Sequence, residues 1–309
     1  MQKHLDFEAL SKMSNSTFST TFQHLFKFWG DFFMKKHTRL IAAFLALVTL
    51  FGLFAGFAQP AQAAETTSVS AIKKRGTIKI AVFGDLPPYG WVDKNGKRQG
   101  YDIALAKQVG KDLGVKVKYV QVNADSRVDA LNSNKVDLVL ANFTVTPERK
   151  QVISFAKPYM KVSIGVISPK SKPITKISQL KGKNLIVNKG TTAEQYFTKN
   201  SKGATLQKYD SKTQQFNALK NDRAAALADD NSYLYAWVKN NPKYTVGIKH
   251  LGPNQYIAPG IKKGNKSLLN WTNKEITKLN NNGFFDKNYK QNLKPYFGSD
   301  VTAKDIVIK

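Results

Sequence analysis

Tyr101-Asp102-Ile103-Ala104-Leu105-Ala106-Lys107-Gln108-Val109-Gly110-Lys111-Asp112-Leu113, followed after Gly114 by Val115-Lys116-Val117-Lys118-Tyr119-Val120-Gln121-Val122, decides the reading of the fold. Ile103, Leu105, Ala106, Val109 and Leu113 fall at helical spacing, so 101–113 predicts an amphipathic helix. Val115–Val122 predicts a strand. Upstream, Thr77–Phe83 reads as another strand. Downstream come a helix at Arg127–Asn132 and a buried strand at Val136–Ala141. After Lys161–Ile167 the alternation restarts, with strands at Lys183–Val187, Leu206–Tyr209 and Ala224–Ala228. Helices are predicted at Thr192–Lys199, Gln214–Lys220 and Tyr233–Val238. The tail returns with a strand at Tyr256–Ile261 and a helix at Leu268–Asn280.

Strand–helix alternation of this kind means an α/β fold with largely parallel sheets. Two similar runs split near residue 162 predict two lobes, one built from 70–161 plus 255–309 and the other from 162–254. A ligand cleft is expected between them, beyond the carboxyl ends of the strands.

The first 63 residues are read separately. Met34-Lys35-Lys36-His37-Thr38-Arg39 is basic, Ile41–Phe57 is an unbroken run of apolar and small residues, and Ala61-Gln62-Ala63 is a small-x-small cleavage pattern. Together, 34–63 reads as a secretory signal peptide, and 1–33 as an upstream extension of the true start at Met34. An uncleaved membrane anchor is the competing reading, because the run is near the lower length limit for a spanning helix. Cleavage after Ala63 leaves a chain beginning at Ala64.

The chain has 309 residues, 48 Lys+Arg, 21 Asp+Glu and no cysteine. Its apolar share of 42% is enough for a sizeable core. The formal charge is +27, and +24 remains after six basic and three acidic residues leave with the first 63. Such a charge points to an anionic partner. For an exported protein that partner is not nucleic acid. Anionic cell-wall polymers such as teichoic acid, the membrane surface or mucosal glycans fit better, and plain solubility is the competing explanation. Without cysteine there are no disulfides and no lipid-bearing residue after the apolar run. The expectation is an exported, surface-associated, non-lipidated Gram-positive protein.

Four segments follow strands, where a site belongs. Phe83-Gly84-Asp85-Leu86-Pro87-Pro88-Tyr89-Gly90-Trp91 is stiff and aromatic. In Ala141-Asn142-Phe143-Thr144-Val145-Thr146-Pro147-Glu148-Arg149-Lys150, Thr146 suits a helix N-cap and Pro147 the first helical position. Arg149 then lies in the first turn, able to hold a carboxylate with two bonds. Lys189-Gly190-Thr191-Thr192-Ala193-Glu194 is a second helix start, whose N–H groups suit an anion. Ala228-Asp229-Asp230-Asn231 ends an apolar strand on polar residues. Taken singly, each is an ordinary cap or turn. Taken together, two anion sites, an acidic pair and an aromatic wall suit a zwitterion.

These residues resemble the polar amino-acid binding proteins of ABC importers, bacterial solute-binding protein family 3, with the type II periplasmic-binding-protein fold. The likeness covers about 70–297 and rests on Asn142–Lys150, Phe155–Met160 and Lys189-Gly190-Thr191-Thr192. Val82–Pro88 and Gly100–Lys107 look most like cystine- and cysteine-binding members. The charge looks like that of the basic surface proteins of lactobacilli, some described as collagen- or mucus-binding.

The resemblance implies an extracytoplasmic protein that hands a polar amino acid, cystine or cysteine above others, to a membrane permease. A charge-anchored adhesin is the alternative, alone or alongside transport. It implies that Arg149 grips the α-carboxylate with the N–H groups of Thr144 and Thr192. Asp230 binds the α-ammonium with the Asn142 carbonyl and the Thr144 hydroxyl. Arg127 lies near the ligand side chain, and Phe83 and Tyr89 line the wall. Where relatives often carry His-Asp, this chain has Asp229-Asp230, which leaves open which carboxylate faces the ligand. If the ligand is cystine, Arg127 is the candidate for its second carboxylate; if cysteine, Arg127 orders the wall. No cofactor or metal is implied. An enzyme is disfavoured because the chain after residue 63 has one histidine, His250, and no H-E-x-x-H or G-x-S-x-G motif. An Asp229/Asp230 acid–base pair is the remaining enzymatic reading.

Overall fold

The computed structural model describes residues 67–201, 203–297 and 301–308. The expected extension at 1–33 and signal peptide at 34–63 lie outside them.

Helix α1 (Val69–Arg75) is capped by the Ser68 hydroxyl and stopped by Gly76 in the left-handed region. It leads into strand β1 (Thr77–Val82) and a small antiparallel sheet of β2 (Asp85–Leu86), β3 (Gly90–Val92) and β4 (Arg98–Gln99). There follow α2 (Tyr101–Leu113), β5 (Lys116–Gln121), α3 (Arg127–Asn132), β6 (Leu138–Val139), α4 (Pro147–Val152) and β7 (Ile153–Phe155). The chain then crosses on β8 (Met160–Pro169) and builds β9 (Asn184–Asn188), α5 (Thr192–Asn200), β10 (Thr205–Tyr209), α6 (Lys212–Lys220), β11 (Ala226–Asp230) and α7 (Asn231–Lys239). It returns on β12 (Tyr244–Ile257) and closes with β13 (Gly260–Lys262), α8 (Lys266–Asn281), α9 (Phe284–Asn288) and α10 (Ala303–Ile306).

Two five-stranded sheets result, ordered β5-β1-β6-β13-β7 and β10-β9-β11-β8-β12. In the first, β5, β1 and β6 are parallel and β13 runs against β6 and β7. In the second, β10, β9 and β11 are parallel and β8 runs against β11 and β12. This is the two-lobed type II periplasmic-binding-protein fold. Two strands carry the crossings: β8 enters the second sheet, and β12 leaves it at Ile257, which also bridges Thr144 of the first lobe. Among the described residues no helix is long and apolar enough to cross a membrane.

The second sheet shows how pattern becomes position. Its central strands β9, β11 and β8 are buried on both faces, as strands covered by helices must be, and β9 and β8 read as nearly continuous apolar runs. Leu185, Val187, Ala226 and Ala228 pack with Ala193 and Phe197 of α5. Ile186 and Leu227 point the other way, toward Phe216 and Leu219 of α6 and Tyr233 and Leu234 of α7. Side chains alternate along a strand, so Asp229 continues the Leu227 face and Asp230 the Ala228 face.

The first lobe depends on a close approach at Gly100, which precedes α2. The N–H groups of Tyr101 and Asp102 donate to the carbonyls of Pro88 and Tyr89, so the helix start is pressed against that turn. Gly100 has φ 121°, and a Cβ there would lie 2.3 Å from the Tyr89 carbonyl oxygen. Gly100→Ala is therefore expected to cost at least the ~1–3 kcal/mol of a strained backbone. At about 2–4 °C per kcal/mol for a domain of this size, the melting temperature should fall by about 2–12 °C or more in a thermal scan. An unchanged midpoint would contradict the packing described.

Candidate functional site

The segments after β1, β6, β9 and β11 meet at the carboxyl ends of their strands. With the segments after β5 and β10 they bound a small cavity lined by Phe83, Ala124, Arg127, Asn142 and Thr144 from one lobe and Thr191, Thr192, Lys212, Asp229 and Asp230 from the other. Six of the eight residues expected at the site therefore line it.

Arg149 sits just behind this lining. The Thr146 hydroxyl accepts from its N–H and Pro147 occupies the first helical position, as the sequence predicts. Its Nη1 donates to the Thr144 carbonyl and its Nη2 to the Gly190 carbonyl at 2.8 Å, across the lobes. Two of the five guanidinium N–H groups are thus used. The Phe143 ring lies 4.9 Å from its Cζ. Burial lowers its pKa to about 10, opposed by the nearby Asp230 charge, so it stays cationic at neutral pH.

Arg127 is spent more completely. Nε donates to the Ala124 carbonyl at 2.8 Å, Nη1 to those of Ala141 and Asn142 at 3.0 Å, and Nη2 to that of Gly190 at 3.0 Å. Its face lies 4.5 Å from the Phe143 ring centre and 5.7 Å from that of Phe83. Four backbone carbonyls and two rings hold it as part of the wall.

The two aspartates divide as the strand parity requires. Asp229 turns toward α6, where its Oδ2 accepts from Lys212 Nζ at 2.6 Å and Gln215 Nε2 at 2.7 Å. Its Oδ1 accepts from the Asp230 N–H. Asp230 turns into the cleft, and its Oδ2 accepts from Asn142 Nδ2 of the other lobe at 2.6 Å. Burial raises the Asp230 pKa to about 6, Asp229 adds to the rise, and Lys212, Asn142 and Arg127 pull against it.

Asn142 is held in the left-handed region, φ 45°, where asparagine is tolerated. Its N–H donates to Asp102 Oδ2 at 2.8 Å, and Tyr159 donates its hydroxyl to Asp102 Oδ1. The Asn142 carbonyl, expected to face an ammonium group, accepts from Arg127 instead. The acceptor left over is its side-chain Oδ1, which is buried and has no partner among the described residues.

Thr192 opens α5, with Thr191 as the N-cap accepting from the Glu194 N–H. The Thr192 hydroxyl donates to Gln255 Oε1 at 2.8 Å. Phe83, expected in the wall, lines the cavity; Tyr89, expected there too, is fully buried, its hydroxyl is hydrogen-bonded to Ser232 of the second lobe, and it is absent from the lining. Sequence reasoning missed Asp102, Gly190, Lys212 and Gln215. The parity of Ala226 to Asp230 was a usable signal for the Asp229 partners. Nothing local marked Lys212 as buried.

A family model described as bacterial extracellular solute-binding proteins, family 3, matches residues 78–295. The solved structure of a solute receptor for L-cysteine from Neisseria gonorrhoeae is 50% identical, covering 78% of this chain and all of that one, with a TM-score of 0.77. A cysteine-binding protein from Campylobacter jejuni is likewise 50% identical, covering 78% and 98% of the two chains at the same TM-score. The L-cystine-binding protein of Escherichia coli K12 is 27% identical over 76% of this chain and 87% of its own length. By its family match and these likenesses, the chain belongs to the bacterial extracellular solute-binding proteins of family 3, the amino-acid binding proteins of ABC transporters.

Proposed function

We propose that this protein captures free L-cysteine outside the cytoplasm and delivers it to an ABC permease. The observation that carries the reading is the division of labour between the two aspartates: Lys212 and Gln215 hold Asp229, which leaves Asp230 to the cleft. A buried carboxylate of this kind needs a cation. It already accepts the Asn142 amide as it would accept an ammonium group, and Asn142 Oδ1 offers a second acceptor beside it. Arg149, from the first lobe, and the start of α5, from the second, supply donors for a carboxylate.

Cysteine fits better than cystine on two grounds. The receptors half identical to this chain are described as cysteine-binding. Cystine also brings a second carboxylate, and the two further cations at the cavity are committed, Arg127 to carbonyls and Lys212 to Asp229. Catalysis is disfavoured by the same facts, because an Asp229/Asp230 acid–base pair loses Asp229 to its ion pair. The family's extracellular character supports export, and the formal charge of +24 left without the first 63 residues adds attraction to anionic cell-wall polymers or the membrane surface.

Arg149→Ala tests the carboxylate site. Removing one partner of a buried charge pair costs about 3–5 kcal/mol, or about two to three and a half decades of affinity. Calorimetry on a variant shown to be folded by circular dichroism should register that loss, with Lys restoring it only in part because an ammonium lacks the planar fork. Near-wild-type affinity would rule out this site.

The pH profile tests the ammonium site. The ligand needs Asp230 ionised, and the free group takes up a proton as pH falls through about 6. Affinity should be flat from about pH 7 to 7.5 and fall about tenfold per unit below pH 6. Asp102, also raised to about 6 by burial, titrates in the same window and steepens the fall. Affinity unchanged down to pH 5 would contradict the assignment.

A further inference from the structure

Lys212 has no place in the expected site, yet it is buried, lines the cavity and stands behind the carboxylate offered to the ligand. It is the first residue of α6. The Ser211 hydroxyl accepts from the Gln214 N–H while Gln214 Oε1 accepts from the Ser211 N–H, which fixes the helix start. The ammonium lies 2.6 Å from Asp229 Oδ2 and 5.6 Å from the Tyr233 ring centre, so it is not placed to grip a ligand carboxylate itself. A buried ion pair of this kind seldom repays its desolvation, and apolar residues of similar volume often serve stability as well. Its position suggests another use. Consecutive carboxylates at the end of one buried strand repel each other, and the repulsion is greatest where water is excluded.

We propose that Lys212 is a positioning residue for ligand binding: locked on Asp229, it is the fixed countercharge that lets the adjacent Asp230 meet the ligand's ammonium group as an anion. The inference rests on the amino-acid reading above. The charged and titratable groups around Asp230 are Asp229 on its own strand, Lys212 on α6, Arg127 on α3, Arg149 on α4 and Tyr89 after β2. Of the three cations, both arginines are tied to backbone carbonyls across the cleft, and both belong to the opposite lobe. Lys212 is the one among them in the same lobe as the two aspartates, so it balances them whether or not the lobes are closed. Gln215 completes the arrangement by spending its amide on the same Asp229 oxygen that Lys212 holds.

The test is calorimetric titration of L-cysteine, kept reduced, at intervals from pH 5 to 7.5, on wild type, Lys212→Gln, Asp229→Asn and the double variant. Removing an opposite charge should move the acid midpoint of the affinity profile up by about one pH unit or more in Lys212→Gln, and removing a like charge should move it down in Asp229→Asn. The two displacements should cancel in the double variant. If Lys212→Gln alone does not fold, the comparison of Asp229→Asn with the double variant carries the test: the midpoint of the double variant should lie above that of Asp229→Asn, and coincidence of the two would overturn the inference. A loss of affinity by one constant factor at every pH, with unmoved midpoints, would overturn the inference and leave Lys212 a purely structural residue, while the amino-acid reading stood. Failure of the wild type to bind L-cysteine or any other amino acid would overturn that reading, and this inference with it.

Discussion

The carbonyl oxygen of Gly190 ties the two lobes twice over, because it accepts from Arg127 at 3.0 Å and from Arg149 at 2.8 Å, both reaching from the other lobe, beside the bonds of Asn142 to Asp230 and Tyr89 to Ser232. A closed cleft strips water from every charge inside it, and an ion left without a partner there costs several kcal/mol. The arginines meet that requirement with carbonyls, Asp229 with Lys212 and Gln215, and Asp230 with the Asn142 amide. Gly190 permits the junction. Its φ is +71°, and a Cβ would stand 2.4 Å from Asp125 Cα of the facing lobe. A side chain there would hold the lobes apart.

The selectivity we propose rests on this constraint. A zwitterion brings one positive and one negative group, and the cleft has one carboxylate and one guanidinium with bonding capacity to give. Arg127 shows how a charged residue at a cavity wall can be framework: with four bonds to carbonyls and its face near Phe83 and Phe143, its charge supports the loops. Behind the wall, Asp102 holds Asn142 by its N–H and so aims the amide that meets Asp230.

The alternating fold was legible where each element pays for itself locally. Tyr101–Leu113 and Arg127–Asn132 lie where their apolar spacing placed them, and the caps at Thr146 and Thr191 do as their types suggest. The long return strand was not legible. Gly247, Lys249, Gly252 and Pro253 break its pattern, and its register against β8 shifts three times as it crosses between sheets. The strand expected at Tyr256–Ile261 is split for the same reason: β12 ends at Ile257, and β13 begins at Gly260 in the other sheet, beyond Pro259. Site residues carried by caps and strand ends could be named from motifs. Lys212 and Asp102 could not, because each is defined by a partner 17 and 40 residues away, respectively. Tyr89 misled because an aromatic next to a site reads the same whether it faces the cavity or, as here, the hydroxyl of Ser232 behind it.

The central claim is that the cleft holds one small zwitterion and has no cation left for a second carboxylate. The most direct measurement is calorimetric titration of the wild-type protein with L-cysteine under reducing conditions and, separately, with L-cystine. The account predicts one saturable site for cysteine and binding of cystine weaker by at least about a hundredfold, the cost of an unpaired buried charge. Cystine bound as tightly as cysteine, or more tightly, would mean that Arg127 leaves its carbonyls for the ligand, and would contradict it.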